Sequence, residues 1–216
     1  DPNTGEILGM TGKQRSTSNE IVDDALGVIN ASYGMGSAIK GAMVLTGYMS
    51  GVISTDNNVI VDEPLQFPGS KLKKSVFNPN VGSQVAINDI EALARSSNIY
   101  MVKLAMMMGG QVNYESGDTL NISADLIDEL RSYFAQFGLG VKTGIDLPNE
   151  GSGLVGFDQT AVNVVDQAFG QYDLYTTLQL SQYINTIANG GTRYAPQLVS
   201  EIRSTDANGA LGALET

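Results

Sequence analysis

The chain has 216 residues, of which 42% are hydrophobic and 16% are charged, a composition typical of a globular domain with a sizeable core. Its net charge of −11 argues against nucleic acid as a partner, because phosphate binding needs clustered Lys and Arg. The sequence has no His and no Cys, which excludes Ser-His-Asp triads, Cys-His pairs and thiolate metal sites within it.

The first part of the chain predicts short elements and one longer helix. Residues 6–12 follow a Pro-Asn-x-Gly turn and are predicted to form a strand, and the polar residues 13–20 are predicted to form a loop. Residues 23–29 have the mixed apolar spacing of a short helix. From Ser37 to Tyr48 the apolar residues cluster on one side, which predicts a helix of about three turns.

The middle of the chain changes from short β-like pieces to helices. Residues 51–86 are rich in Gly, Pro, Asn and Asp, which predicts loops with short strands. Residues 88–108 carry the longest helical pattern, which is interrupted near residues 95–98 and ended by a Gly-Gly pair. Ser123 is predicted to cap a helix that runs through Phe137.

Capping residues mark the ends of the last two predicted helices. Gly138 suits the position just past the helix that starts at Ser123, where a left-handed backbone is common. Thr176 and Gln179 have the spacing of a capping box, and the helix that they open stops at Gly190. Strand-like segments near the start, followed mainly by helices, predict an α+β fold with a mostly helical lobe.

A Ser-x-x-Lys pair, Ser37 and Lys40, carries the most chemical information in the sequence. Positions i and i+3 share a helix face, so the amine of Lys40 can reach the hydroxyl of Ser37. Burial and the positive end of the helix both disfavour an ammonium ion, and a neutral amine is a competent base for serine attack on a carbonyl. Gly36 leaves the backbone open to a substrate, and N–H groups at the helix start can stabilise an oxyanion.

The same spacing occurs a second time, from Ser70 to Lys73, after a Pro-Gly pair in a polar loop. No apolar helix follows it, and we interpret it as a chance occurrence. The basic cluster of Lys71, Lys73 and Lys74 is interpreted as part of a solvated loop. Because the spacing is common by chance, the pair at Ser37 needs a second motif to support it.

Ser96, Ser97 and Asn98 supply that second motif, as small polar residues inside an apolar helical pattern. Such residues weaken a helix and mark either an ordinary junction or a polar pocket. A Ser-x-x-Lys pair followed by Ser-x-Asn is the ordered signature of penicillin-interacting serine enzymes, whose third motif is Lys-Thr-Gly or Lys-Ser-Gly.

The resemblance to this family extends along the whole chain. Residues 1–8 resemble the first strands of a penicillin-binding transpeptidase domain, and residues 96–102 resemble the second motif of class B enzymes. Residues 137–148, 168–171 and 187–191 are similar to further class B segments, in the family's order. Within class B, the chain resembles the 2B-type, elongation-associated enzymes of Gram-positive bacteria.

The resemblance implies a D,D-transpeptidase that cross-links peptidoglycan stem peptides through an acyl-enzyme and that β-lactams inhibit covalently. Ser37 would attack the D-Ala-D-Ala carbonyl, with Lys40 as the base. Ser96 would relay a proton to the leaving amine, and Asn98 would bind the substrate amide and Lys40. No metal or organic cofactor is expected. The expected catalytic residues are Ser37, Lys40, Ser96 and Asn98, and the expected substrate-binding residues are Gly36 and Ser97.

The implied fold is that of penicillin-binding transpeptidases and serine β-lactamases, truncated so that the C-terminal sheet strands are missing. Residues 1–216 would form a partial domain. Residues 1–36 would supply N-terminal strands and the approach to the nucleophile, residues 37–200 a helical lobe with both motifs, and residues 201–216 a strand start and a mobile tail. Without the missing strands, we expect an exposed apolar surface near residues 6–10 and along the nucleophile helix.

Two positions depart from the family pattern. Lys142-Thr143-Gly144 spells the third motif, but in the family this segment is a helix-to-loop connection, so we expect it not to be the active-site strand. The catalytic copy is expected after Gly191, and none follows before Thr216. Met35 stands where the family usually has proline, which loosens the approach to the nucleophile.

Two alternatives remain open from the sequence. A β-lactamase or a β-lactam sensor could use the same fold, but hydrolysis needs a carboxylate that activates water, and the spacing of Glu150 does not suggest that role. A catalytically incomplete lobe could instead serve only in assembly contacts, because the third motif is missing.

The expected partners and location follow from the resemblance. The partners would be peptidoglycan stem peptides, β-lactam antibiotics and proteins of the cell-wall synthesis complex, without nucleic acid. No apolar run of about 18 residues occurs, so we predict no membrane span within the sequence. The family's N-terminal anchor is expected upstream, which would place the domain on the extracytoplasmic face of the cell membrane.

Overall fold

A computed structural model describes residues 1–215 of the chain. The helices are α1 (Gly27–Asn30), α2 (Lys40–Met49), α3 (Asp89–Ala94), α4 (Asn98–Met108), α5 (Leu126–Gln136), α6 (Ala161–Gln167) and α7 (Thr177–Ala188). The strands are β1 (Lys13–Arg15), β2 (Ile21–Asp23), β3 (Ser32–Tyr33), β4 (Ile60–Asp62), β5 (Val85–Ile87), β6 (Tyr175–Thr176), β7 (Arg203–Thr205) and β8 (Leu211–Leu214). They form the antiparallel pairs β1–β2, β3–β6, β4–β5 and β7–β8. The content is α+β, as predicted.

Helix α4 lies at the centre of the main hydrophobic core. Its buried side chains point in every direction around the axis: Ile99, Tyr100, Met101, Val102, Leu104, Ala105 and Met106. A helix that is apolar on all sides must be covered on all sides. Helices α2 and α6 and strand β4 pack directly against it, and α5 packs on α2 and α6. The contact between α2 and α4 brings together the elements that carry the two predicted motifs.

The predicted helix ends from residue 88 onward agree with the structure at three places. The pattern over residues 88–108 is split into α3 and α4, and the break falls where the polar residues interrupt it. At α7 the capping box is complete, because Thr176 Oγ1 accepts from Gln179 N at 3.2 Å and Gln179 Oε1 accepts from Thr176 N at 2.9 Å. Gly138 follows α5 with φ of +94°.

Two predictions for the N-terminal residues were wrong. Residues 6–12 form no strand apart from a bridge between Glu6 and Gln197, and the residues predicted as a polar loop contain the β1–β2 hairpin. A strand needs a hydrogen-bonding neighbour along its length, and the bridge that Glu6 makes is with Gln197, far along the chain. The hairpin closes through a tight turn in which Asn19 adopts a φ of +67°.

Two helix starts also differ from the prediction. Helix α1 begins at Gly27 and covers four residues, so only the end of the predicted helix over residues 23–29 forms. Helix α5 begins at Leu126, and Ser123 is not its N-cap. Instead, Ser123 Oγ accepts from Asp125 N at 3.2 Å in a turn before the helix. Local side-chain bonding of this kind competes with helix formation, which the sequence pattern does not resolve.

Exposed apolar side chains lie beside the N-terminal segment and on α7. Leu8 is 83% exposed, and Ile184 and Ile187 on α7 are exposed by 49% and 41%. A groove of about 460 Å³ runs between the N-terminal segment and α7. The expectation of an exposed apolar surface near residues 6–10 therefore agrees with the structure. The expectation for the nucleophile helix was wrong, because most of α2 is buried in the helical lobe.

The C-terminal residues form a hairpin of β7 and β8, so a strand starts near residue 201 as predicted and a second strand follows it. The end of the predicted tail, Thr216, lies outside the described residues. None of the helices within residues 1–215 combines the length and the apolar character needed to cross a membrane.

Candidate active site

Lys40 is the centre of the polar cluster between α2 and α4. Its side chain is 2% exposed, although it carries an amine. Nζ donates to the backbone oxygen of Ser96 at 2.7 Å, to Ser96 Oγ at 3.0 Å and to Asn98 Oδ1 at 2.7 Å. An ammonium group has three donors, and these three acceptors match that number. The structure thus joins the predicted Ser-x-x-Lys and Ser-x-Asn motifs through one side chain.

Burial sets the protonation state of this amine. It lowers the pKa of Lys40 from 10.5 to about 8, against the opposing effect of the negative charge on Asp62. A general base works best when its pKa lies near the working pH. Lys40 therefore meets the electrostatic requirement for a proton acceptor.

Ser37 lies in a 3-10 turn, Gly36–Ile39, that leads directly into α2. The side chain of Ser37 is exposed, whereas Ile39 and Lys40 on the same turn are buried. Within residues 1–215, no hydrogen bond engages the hydroxyl of Ser37, so it is open to an incoming electrophile. The amine of Lys40, which was expected to reach this hydroxyl, donates to Ser96 and Asn98 instead. Contacts between a nucleophile and its base often tighten only when substrate is bound.

A close backbone contact holds the start of this turn. Gly36 has φ of +53°, and its N–H donates to the carbonyl of Gly170 at 3.1 Å. A Cβ added to Gly170 would lie 2.2 Å from the Gly36 oxygen, which is inside van der Waals contact. Gln171, the next residue, has its amide near Gly36. The turn after α6 therefore fixes where the nucleophile sits, and Gly36 remains a predicted substrate-binding residue.

Ser96 occupies the sharp turn between α3 and α4. The N–H of Ser96 donates to the Leu93 carbonyl at 3.1 Å, and the N–H of Ser97 donates to the Ala92 carbonyl at 2.8 Å. These two bonds define a Schellman motif, in which the C′ residue takes a left-handed conformation and is usually Gly. Ser96 takes it with φ of +53°. A strained, non-glycine residue at this position turns its hydroxyl and carbonyl toward Lys40.

Ser97 lies in the interior and does not fit the predicted contact with substrate. It is fully buried, and its hydroxyl caps α4 by accepting from Tyr100 N at 2.9 Å. The same hydroxyl donates to Asp62. The contact of Ser97 with substrate stays a prediction, which its burial and these two hydrogen bonds do not favour. Its role is to end one helix and begin the next.

Asn98, the first residue of α4, is half-buried and has its amide orientation fixed from both sides. Nδ2 donates to the carbonyl of Lys74 at 3.0 Å, which leaves Oδ1 to accept from Lys40. The four predicted catalytic residues are thus distributed over two helix starts that pack together. Lys40, Ser96 and Asn98 are in direct contact, and Ser37 stands one turn before Lys40.

The family of the chain follows from a match that covers nearly all of it. The model of the penicillin-binding protein transpeptidase domain matches residues 1–215. The chain belongs to this family. Penicillin-binding protein 2A of Bacillus subtilis is 46% identical over 99% of the chain, which spans 30% of that protein. Penicillin-binding protein 2B of Streptococcus pneumoniae is 38% identical over 99% of the chain, which spans 32% of that protein.

The fold is shared with solved relatives. The structure of penicillin-binding protein 2B from Streptococcus pneumoniae strain 5204 superposes with a TM-score of 0.91 at 38% identity, over 99% of this chain and 35% of that one. The chain therefore has the penicillin-binding transpeptidase fold and spans about a third of the length of these relatives.

The tripeptide Lys142-Thr143-Gly144 lies in a loop outside the cluster around Lys40. Thr143 is buried, and Glu150 binds it by accepting from Thr143 N at 2.6 Å and from Gly144 N at 3.2 Å. The expectation that this copy is not the active-site strand agrees with this placement. Glu150 is likewise committed to the loop, so its carboxylate is not placed to activate water at Ser37.

The second Ser-x-x-Lys pair also lies in a loop, as predicted, but one residue of the basic cluster was misjudged. Lys73 is not solvated, because its amine pairs with Asp166 on α6 at 2.5 Å and both side chains are mostly buried. This ion pair ties the loop before Ser75 to the core. Lys71 and Lys74 are exposed, as expected.

Sequence reasoning missed the residues behind the second motif. Asp62 and Ser75 are fully buried and bind each other at 2.6 Å, and Ser75 Oγ accepts from Asn98 N at 3.0 Å. Both come from the stretch rich in Gly, Pro, Asn and Asp, where polar residues are ordinary. The one signal in the sequence was the apolar run from Val59 to Val61, which indicates a strand that ends at Asp62.

Proposed function

We propose that the protein containing this chain is a serine D,D-transpeptidase of peptidoglycan synthesis, with Ser37 as nucleophile and Lys40 as base. One observation carries the proposal: a buried Lys40 amine is hydrogen-bonded to Ser96 and Asn98 beside an exposed, uncommitted Ser37. The family membership and the names of the relatives support the same chemistry.

The proposed reaction begins with acylation of Ser37. Neutral Lys40, about a tenth of the population at pH 7 for a pKa of about 8, takes the hydroxyl proton as Oγ attacks the carbonyl of the penultimate D-Ala. The peptide C–N bond then breaks, and the leaving amine of the terminal D-Ala receives a proton through Ser96. An amine of a second stem peptide attacks the ester, which forms the cross-link and returns the proton to Ser37.

β-Lactams are proposed to enter the same path. Attack by Ser37 on the lactam carbonyl opens the ring, and the amine stays tethered to the acyl group, so no leaving group vacates the site. In this proposal the Ser96 and Asn98 side chains contact the amide part of either ligand. Stem peptides and β-lactams are thus the proposed partners, and an extracytoplasmic location is proposed because peptidoglycan is cross-linked there.

Release of D-Ala tests this proposal in the full-length protein. A donor peptide ending in D-Ala-D-Ala and an amine acceptor should give D-Ala and a cross-linked product. Ser37→Ala should abolish both, whereas Ser70→Ala, in the loop copy of the motif, should leave both unchanged. Activity retained by Ser37→Ala would exclude Ser37 as the nucleophile. Rapid turnover of a chromogenic cephalosporin without D-Ala release would favour a β-lactamase instead.

A further inference from the structure

Asp62, the last residue of β4, is a buried carboxylate outside the proposed catalytic set. It is fully buried and accepts from three side-chain donors, Ser75 Oγ at 2.6 Å, Ser97 Oγ at 2.5 Å and Asn78 Nδ2 at 3.1 Å. Within residues 1–215 no Lys or Arg amine lies within ion-pair distance of it. Burying a carboxylate without a bound cation is costly unless hydrogen bonds compensate. The three donors supply that compensation.

The direction of these bonds follows from what else the two hydroxyls do. Ser75 Oγ accepts from the N–H groups of Asn98 at 3.0 Å and Ile99 at 3.3 Å, and Ser97 Oγ accepts from Tyr100 N at 2.9 Å. Each hydroxyl has one proton, and the carboxylate of Asp62 can only accept, so both protons point to Asp62 rather than across the longer 3.3 Å contact between the two hydroxyls. Asp62 thereby orients both hydroxyls as acceptors.

Those three N–H groups are the first three of α4, and they have no partner inside the helix. The hydroxyls of Ser75 and Ser97 accept from them, and Asp62 in turn accepts from both hydroxyls. The negative charge of Asp62 also stabilises the positive end of the helix. The first residue of this helix is Asn98, whose side chain accepts from Lys40. The N-terminus of α4 is therefore held by a carboxylate on one side while it binds an amine on the other.

The turn of Ser96 to Asn98 lies between two buried ionic groups of opposite sign. Lys40 binds its cleft side through Ser96 and Asn98, and Asp62 binds its interior side through Ser97. Burial lowers the pKa of Lys40, and the charge of Asp62 partly opposes this shift. Two nearby lysines are otherwise placed, because Lys73 is paired with Asp166 and Lys74 is exposed.

We propose that Asp62 is a positioning residue for acylation, which holds the turn of Ser96 to Asn98 in place against Lys40 through the hydroxyls of Ser75 and Ser97. The inference rests on the proposed function, since it concerns the rate at which Ser37 is acylated. It assigns to Ser97 and Ser75 the task of transmitting this constraint, which explains why a serine stands at each of these fully buried positions.

The neighbouring residue offers a matched control. Glu63 also joins the end of β4 to α4, but its carboxylate binds Lys103 at 2.7 Å and does not contact the turn. Glu63→Gln therefore removes the same charge at the same strand end without touching the proposed path. Asp62→Asn keeps the shape of the side chain and removes its charge. Ser75→Ala keeps that charge and removes the hydroxyl that links Asp62 to the N–H groups of Asn98 and Ile99.

The test is the acylation rate by a fluorescent penicillin in the full-length protein, measured across pH at a temperature where every variant is folded. Asp62→Asn and Ser75→Ala should each slow acylation by about tenfold to a hundredfold, and Glu63→Gln should leave it unchanged. The acid limb of the profile should move to lower pH in Asp62→Asn, because Lys40 loses the anion that raises its pKa, and should stay in place in Ser75→Ala.

A wild-type rate and an unshifted acid limb in Asp62→Asn would overturn the inference, as would a loss no larger than that of Glu63→Gln. If Asp62→Asn does not fold, a wild-type rate in Ser75→Ala overturns it. Failure of the wild type to be acylated at Ser37 would instead refute the proposed function, and the inference with it.

Discussion

At the residue Lys40, burial and hydrogen bonding have two different effects, one on the charge of the amine and one on its position. Burial makes the charged amine costly, while three acceptors keep the side chain in one position. The Ser-x-x-Lys spacing predicted a base beside Ser37. The family resemblance implied the contact of this amine with Asn98, but not its two contacts with Ser96, 56 residues away along the chain.

The pH dependence of acylation should report the titration of Lys40. With a pKa of about 8, the neutral amine becomes tenfold rarer with each pH unit below 8, so the acylation rate should fall in parallel and level off above that pH. The measurement is the rate of penicillin acylation of the full-length protein between about pH 6 and 9.5. A rate independent of pH across this range would exclude Lys40 as the base.

Lys40→Arg is the matching substitution, because arginine keeps the positive charge and cannot release a proton. Loss of the base should lower the acylation rate by about a hundredfold to ten-thousandfold and remove the rise with pH.

The stability of the fold should also depend on the charge of Lys40. Because folding lowers the pKa of Lys40 from 10.5 to about 8, the buried charge destabilises the folded state fully below pH 8, and the stability rises between pH 8 and 10.5 as the amine becomes neutral.

Among the elements, the turn between α3 and α4 has a strained backbone at Ser96, a residue of the second motif, which adopts a left-handed conformation. Ser96→Gly should relieve the left-handed backbone, whereas Ser96→Ala should retain it. The glycine variant should therefore be more stable than the alanine variant by about 1 kcal/mol in chemical denaturation. Both should lose acylation activity to a similar extent, because both remove the hydroxyl that contacts Lys40. Equal stability of the two variants would contradict a strained Schellman position.

The turn after α6 offers a second test at this scale. Gly170→Ala should destabilise the fold by more than about 2 kcal/mol and slow acylation, because its Cβ would collide with the Gly36 oxygen. Gly190→Ala is the control, since Gly190 has a similar φ of +85° but nothing within 4 Å. It should cost about 1 kcal/mol and leave acylation unchanged. The two effects are measured by thermal unfolding and penicillin labelling.

The sequence predicted those elements whose signals are local. The break at residues 95–98 and the capping box at Thr176 are decided by neighbours within one turn, and both formed. The strand over residues 6–12 depends on partners far along the chain, and it did not form. Ser123 was predicted to cap α5, but its hydroxyl accepts from Asp125 N in a turn that precedes the start of the helix at Leu126.

At the scale of the whole molecule, the candidate site was predictable only as far as its motifs. Ser37 and Lys40 could be named from their spacing on a helix, and Ser96 and Asn98 from the resemblance of the ordered motifs to the family's signature. The residues that hold these side chains in place could not be named. Asp62 and Ser75 come from the stretch of residues 51–86, where polar residues are common and do not mark a buried position. The strand pairs β3–β6 and β4–β5 and the apolar face of α7 likewise depend on how distant segments meet.

Peptide mapping by mass spectrometry, after incubation of the full-length protein with benzylpenicillin, tests whether the two packed helix starts make Ser37 the nucleophile. We expect a stable penicilloyl adduct on the peptide that contains Ser37, and none in Ser37→Ala. An adduct on another residue, or an adduct that persists in Ser37→Ala, would contradict it.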